Sequence, residues 1–164
     1  MMPIQVLAKT FAAEHLQPDR CMKEPSDKRK RILALHDRAL RFSNGVNTSC
    51  PNHFSNVPSS TVWGQLVRAA DGTSNNLIEA DDASSDADFL HKMGIALREA
   101  KESRACLMKI RMGRLDRFNE IAERDLESEA GQLAAIYASI ITNMRLRLAE
   151  QNKAKLASQK RTSN

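Results

Sequence analysis

A chain of 164 residues fits one domain and buries roughly 70% of the surface it would expose unfolded, so its core needs no disulfide or metal staple. Hydrophobic residues make up 41%, charged residues 27% and aromatics only 4%, a balance that disfavours a sheet and favours helices cored by Leu, Ile, Ala and Met. The formal charge of +5 admits a nucleic acid, an anionic membrane or an acidic protein as partner, while Cys21, Cys50 and Cys106, odd in number and scattered, suit reduced cytoplasmic thiols rather than a disulfide framework.

Residues 1–27 read as an arm and linker. Ile4, Leu7, Ala8, Phe11, Ala12 and Leu16 share one helical face, but Lys9 alone is too little positive charge for a membrane-surface helix. Neither a secretory signal nor a membrane span is expected. Pro18 and Pro25 bracket the linker.

The first helix is predicted over about 28–44, capped by Ser26 or Asp27, with Ile32, Leu35, Ala39, Phe42 and Val46 as its apolar stripe. The run KRKR at 28–31 sits in its first turn, where cations oppose the helix dipole. Asn44-Gly45 reads as the stop. Loop chemistry follows over 43–60; Pro51 and Pro58 bar a helix, and Ser59 or Ser60 caps the next one.

The second helix is predicted over about 60–83, striped by Val62, Leu66, Ala69, Ala70, Thr73, Leu77 and Ala80. The third, about 86–112, opens on Ser85 as N-cap with Asp86 and Asp88 in the first turn, and Gly113 reads as its stop. Phe89, Met93, Ala96, Ala100, Ser103, Leu107 and Ile110 alternate steps of four and three, the seam of a bundle. The fourth, about 120–156, carries Leu126, Ala130, Leu133, Tyr137, Ile140, Met144 and Leu148, and 158–164 reads as a flexible basic tail. Four single-striped helices bury their stripes together, so residues 28–157 are expected to form an all-α, antiparallel up-down four-helix bundle. Ala69 and Ala70 facing Ala96 and Ala100 would let the second and third helices approach closely.

Residues 71–82, DGTSNNLIEADD, imitate a calcium loop. Position six, which needs glycine, is Asn76, and position twelve is Asp82 rather than glutamate, so the stretch reads as helix. Asp88-x-x-His91 lacks the second motif of a di-iron bundle, and Cys50-x-x-His53 lacks a matching pair for zinc. Glu79, Asp81, Asp82, Asp86 and Asp88 read as a solvated corner. With no phosphate loop, nucleophile elbow or zinc-protease motif, no enzyme, metal or cofactor is expected.

Basic residues remain. Lys92, Arg98, Lys101, Arg104, Arg111 and Arg114 lie on the third helix and its exit; Arg145, Lys153 and Lys155 lie late in the fourth. In an antiparallel bundle these two groups fall at different ends. Trp63 is the only tryptophan, so any nucleic-acid contact is expected to run through the phosphate backbone.

QLVRAADGTSNNLIEA (65–80) and DFLHKMGIALREAKES (88–103) resemble the 23S rRNA intervening-sequence proteins, a family of S23-like four-helix bundles. The resemblance spans roughly 60–110 and rests on Gln65, Leu66, Arg68, Ala69, Ala70, Asn76, Glu79, Asp88, Phe89, Ile95, Ala96 and Glu102. Ala80 replaces the family's glycine, Arg98-Glu99 a Gly-Ser, and Gly72-Thr73-Ser74 a Ser-x-Pro. Similar bundles serve diversity-generating retroelements as homopentamers that bind nucleic acid and partner a reverse transcriptase. The resemblance therefore implies a homo-oligomer, a pentamer, with RNA or a ribonucleoprotein as ligand; the alternative is a structural protein-interaction module. Asn76 and Glu79, one turn apart on one face, are expected to act as a buried polar pair that bonds across to a neighbouring helix or subunit and fixes register, so that Glu79→Ala costs ~1–3 kcal/mol.

Overall fold

The computed structural model describes residues 25–116 and 119–162; among them are four helices, α1 (Asp27–Ser49), α2 (Val57–Asp81), α3 (Asp86–Gly113) and α4 (Glu120–Thr162). The arm expected at the N-terminus lies outside the described residues up to position 24. The chain divides after Arg31. Before the division, Ser26 caps α1: its hydroxyl accepts from the Arg29 amide at 3.3 Å and its carbonyl from the Lys30 amide at 2.9 Å.

From Ile32 onward the four helices make an antiparallel up-down bundle. The cross-links fix the directions: His36 with Asp81 and Ser43 with Asp71 join α1 to α2, and Lys92 with Glu79 joins α3 to α2. Arg111 with Glu127 and Arg147 with Asp86 join α3 to α4, and Arg38 with Glu129 closes α1 onto α4. Tyr137 spans the diagonal, its hydroxyl donating to the Thr73 carbonyl at 3.4 Å, and burial pushes the phenol's pKa up. No helix among the described residues is long and apolar enough to cross a membrane.

The stripes read from the sequence make the core. Trp63, Leu66, Met93, Leu107, Ile110, Leu133 and Tyr137 are wholly buried, and Ala69, Ala70, Ala96 and Ala100 bring α2 and α3 together. Ile32, Leu35, Phe89, Leu126, Ile140, Met144 and Leu148 are only half-buried, at the margins of that core.

Helix ends depart from expectation where packing outweighs local propensity. α1 does not stop at Asn44-Gly45 but runs to Ser49. A methyl group on Gly45 would fall 3.2 Å from Leu126 Cδ2, so this glycine serves close packing against α4, and Asn47 beyond it donates to Asp71 at 2.9 Å. α2 starts at Val57, three residues early: the Asn56 side chain accepts from the Ser59 amide at 2.9 Å, and Pro58 fits the first turn, where no amide is needed. It also ends earlier, at Asp81. Ser85 caps α3 through the Asp88 amide at 3.1 Å. Gly113 is the last helical residue rather than the stop; Arg114 takes the left-handed position at φ 50°. The Leu115 amide then reaches the Ile110 carbonyl at 3.1 Å, and its side chain folds back over Gly113 onto the core.

α4 continues past the expected end at 156, through Thr162, on good helix formers such as Lys, Ala, Leu and Gln. Residues 158–162, read from the sequence as tail, are thus part of the helix. The apolar seam stops at Leu148; the next positions on that face, Gln151, Asn152, Lys155 and Gln159, are polar, and 149–159 are exposed.

Candidate nucleic acid interface

α3 sorts its charges by side. Glu99 lies over Gly72 of α2, and Glu102, one turn on, shares that side. Arg104 crosses Gly131 of α4, and Arg111, two turns on, reaches Glu127 of α4. Between them, Arg98 and Lys101 are exposed on the outward face. Glu99 and Glu102 thus fall toward α2, and Arg104 and Arg111 toward α4.

Arg104, Arg111, Arg124, Glu127 and Ser128 line an open groove of about 440 Å³ along the α3–α4 seam. Arg111 donates from Nε to Glu127 Oε2 at 3.0 Å and from Nη2 to Oε1 at 3.5 Å. Arg124 donates to Glu120, one turn earlier, at 3.0 Å, with both side chains largely exposed. Arg104 makes no hydrogen bond or ion pair with any described residue.

The structure brings Arg104 and Arg111 into this groove and leaves Arg98 and Lys101 on the adjoining ridge. Lys92 lies on the α2 side, where its hydrogen bond to Glu79 raises its pKa. Arg114 is exposed at the end of α3. Arg145, Lys153 and Lys155 are exposed far along α4; Lys153 is roughly 44 Å from Arg124 at 1.5 Å per residue. Arg104, Arg111 and Arg114 thus lie toward the end of the bundle where α4 begins, whereas Lys92, bonded to Glu79, lies toward the end where Asp86 meets Arg147, with Arg145. Arg124, Glu127 and Ser128 were not singled out by sequence: their meeting with Arg111 depends on the α3–α4 register, and the one available signal was an i, i+3, i+4 cluster early in α4.

The apolar residues Leu66, Ala69, Ala70 and Ala96 of the recognised motif are buried, whereas its polar residues are not. Arg68, Glu79 and Glu102 are exposed; Gln65, Asn76 and Phe89 are half-buried. Asn76 and Glu79 are not the buried polar pair expected to bond across to a neighbouring helix: Asn76 is half-buried, Glu79 is exposed, and only Glu79 bonds across, to α3. Asn76 donates to the Gly72 carbonyl of its own helix at 2.9 Å, and Glu79 turns outward to Lys92.

A second groove of about 460 Å³ follows the α1–α4 seam, lined by Asp37, Arg38, Arg41, Phe42, Asp125, Leu126 and Glu129. Arg38 is tied down there, donating to both Glu129 oxygens and, at 2.7 Å, to Gln132; the Glu129 bond raises its pKa. This side carries three carboxylates against two guanidinium groups, so it is the α3–α4 groove that suits an anion.

No family model and no curated protein matches the chain. Among solved structures, a protein of unknown function from the S23 ribosomal protein family of Bacteroides thetaiotaomicron is similar, with 24% identity and a TM-score of 0.55 over 65% of this chain and 97% of that one. That likeness supports the four-helix-bundle fold.

Proposed function

We propose that this protein is a non-enzymatic accessory protein that binds RNA, alone or in a ribonucleoprotein, through the phosphate backbone along the α3–α4 seam. It acts in the cytoplasm as a homo-oligomer, a pentamer, and a reverse transcriptase is its candidate protein partner. One observation carries the reading: Arg104 and Arg111 lie on the side of α3 facing α4, away from Glu99 and Glu102, with Arg98 and Lys101 on the ridge beside them, and Arg124 meets the two arginines in the groove. A backbone carrying one negative charge per nucleotide is the ligand that an open, basic seam without aromatic platforms suits best. The oligomer and the reverse transcriptase rest on the resemblance of residues 65–103. The non-enzymatic reading draws on the described thiols, since desolvation pushes the pKa of both Cys50 and Cys106 up, away from the nucleophilic thiolate.

The test is binding of nuclease-treated protein to a structured RNA over a range of salt. Three phosphate contacts per protomer give a slope of about −2 in log affinity against log salt. Absence of binding at low salt contradicts the proposal.

A second reading, a protein-interaction module, is favoured by a different observation. At the bundle end where Ser55 bonds Asp116, Val57, Met112 and Ile121 are 76%, 72% and 73% exposed, with Phe54 beside Ser55. Under that reading this end, not the basic seam, carries the activity.

A further inference from the structure

We propose that the α3–α4 groove is a phosphate cradle closed by its own carboxylate: Glu127 occupies Arg111 until an RNA phosphodiester replaces it. This deepens, and rests on, the nucleic-acid reading above.

The groove has an excess of donors. Three guanidinium groups, those of Arg104, Arg111 and Arg124, face a single lining carboxylate, Glu127. The Arg111–Glu127 contact is uneven, one bond at 3.0 Å and the other at 3.5 Å, so most of the five N–H donors of Arg111 stay available. Glu127 is the more enclosed partner, with its side chain 16% exposed against 34% for Arg111. The carboxylate therefore sits inside the groove and the guanidinium reaches its mouth.

The lips are less committed. Arg104 has no partner among the described residues, and Arg124 is held only by an exposed pair with Glu120, of a kind that solvent and salt weaken. Ser128 accepts a bond from Gln132 at 3.3 Å, which leaves its own hydroxyl proton to donate. Arginine forks match the two non-bridging oxygens of a phosphodiester. An incoming phosphate can be met by Arg104 and Arg124 first, and then takes Arg111 from Glu127. The carboxylate sets a threshold: isolated or weakly charged anions do not displace it, whereas a polyanion anchored on the Arg98–Lys101 ridge does.

Glu127→Gln keeps the shape and removes the competing charge. With a structured RNA hairpin, this variant should bind about 3- to 10-fold more tightly than the unaltered protein, with a log–log salt slope steeper by about 0.7, one added phosphate. Arg104→Gln, which breaks no internal bond, should bind about 3- to 10-fold more weakly, and it keeps the proposal testable if Glu127→Gln folds poorly. A purely structural Glu127 would leave RNA affinity unchanged or lower it on substitution, which would overturn the proposal. Independently of RNA, titrating Glu127→Gln with inorganic phosphate should shift the Nε–H resonances of Arg104 and Arg111. No shift overturns the cradle even where RNA binds elsewhere. A shift without RNA binding by any form supports the cradle and overturns the RNA function instead.

Discussion

Glu99 of α3 lies across Gly72 of α2: a methyl group on Gly72 would fall 2.9 Å from Glu99 Cγ and 3.2 Å from its Oε2. The half-buried carboxylate has its pKa raised, first by desolvation and then by Glu102, with Arg98 pulling the other way. Gly72 is thus a point of close approach within continuous helix. The calcium-like letters of 71–82 serve helix packing, with Thr73 and Ser74 buried and Asn76 bonded to its own helix.

Gly72→Ala therefore combines two opposed effects. Replacing glycine inside a helix gains about 1 kcal/mol, but the new methyl must displace Glu99. We expect little net change in the unaltered background and a gain of about 1 kcal/mol when Glu99 is also alanine. Chemical denaturation of the four-member cycle reads this directly, and simple additivity would show that Glu99 is not the obstacle.

Glu79→Ala should cost at most about 0.5 kcal/mol, not the larger cost of orphaning a buried partner. The Glu79 side chain is 52% exposed, and its one bond, to Lys92, is a surface ion pair. Loss of more than about 1 kcal/mol in a melting experiment would mean that Glu79 is covered in the assembled protein.

These cases show what the sequence made legible. Apolar spacing located the buried face of each helix, because burial of Leu66, Met93, Leu107 and Leu133 dominates local choices. Ser85 was readable as a cap because its partner, the Asp88 amide, is three residues away. Asn44-Gly45 misled because Gly45 answers to Leu126, distant in the chain. For the same reason the Arg111–Glu127 and Arg38–Glu129 pairs were invisible: each depends on which turn of one helix faces which turn of another. The direction of Glu79 depended on the α2–α3 register. The basic residues were legible as a list, and their sorting by side became visible only with α2 and α4 in place.

Asp116 should make stability depend on acid. Its carboxylate accepts from both the amide and the hydroxyl of Ser55 at 2.7 Å, and these bonds hold its pKa below the ordinary 3.8. A depressed folded-state pKa contributes stability that is fully present above 3.8 and is lost as pH falls through the lower, folded value. Asp116→Asn should flatten that part of the stability curve. Trp63 is the reporter, since it is the only tryptophan, is wholly buried, and donates to the Asp116 carbonyl at 3.0 Å. Identical acid profiles for the two proteins would contradict this.

The central claim is that the basic ridge and seam of α3, rather than charge in general, hold RNA. The direct measurement compares RNA affinity after neutralising two sets of equal charge: Arg98, Lys101 and Arg104 to Gln, and Arg145, Lys153 and Lys155 to Gln. The account predicts a loss of about tenfold or more and a flatter salt dependence for the first set, with less than about threefold for the second. Equal losses from the two sets, or a larger loss from the second, would contradict it.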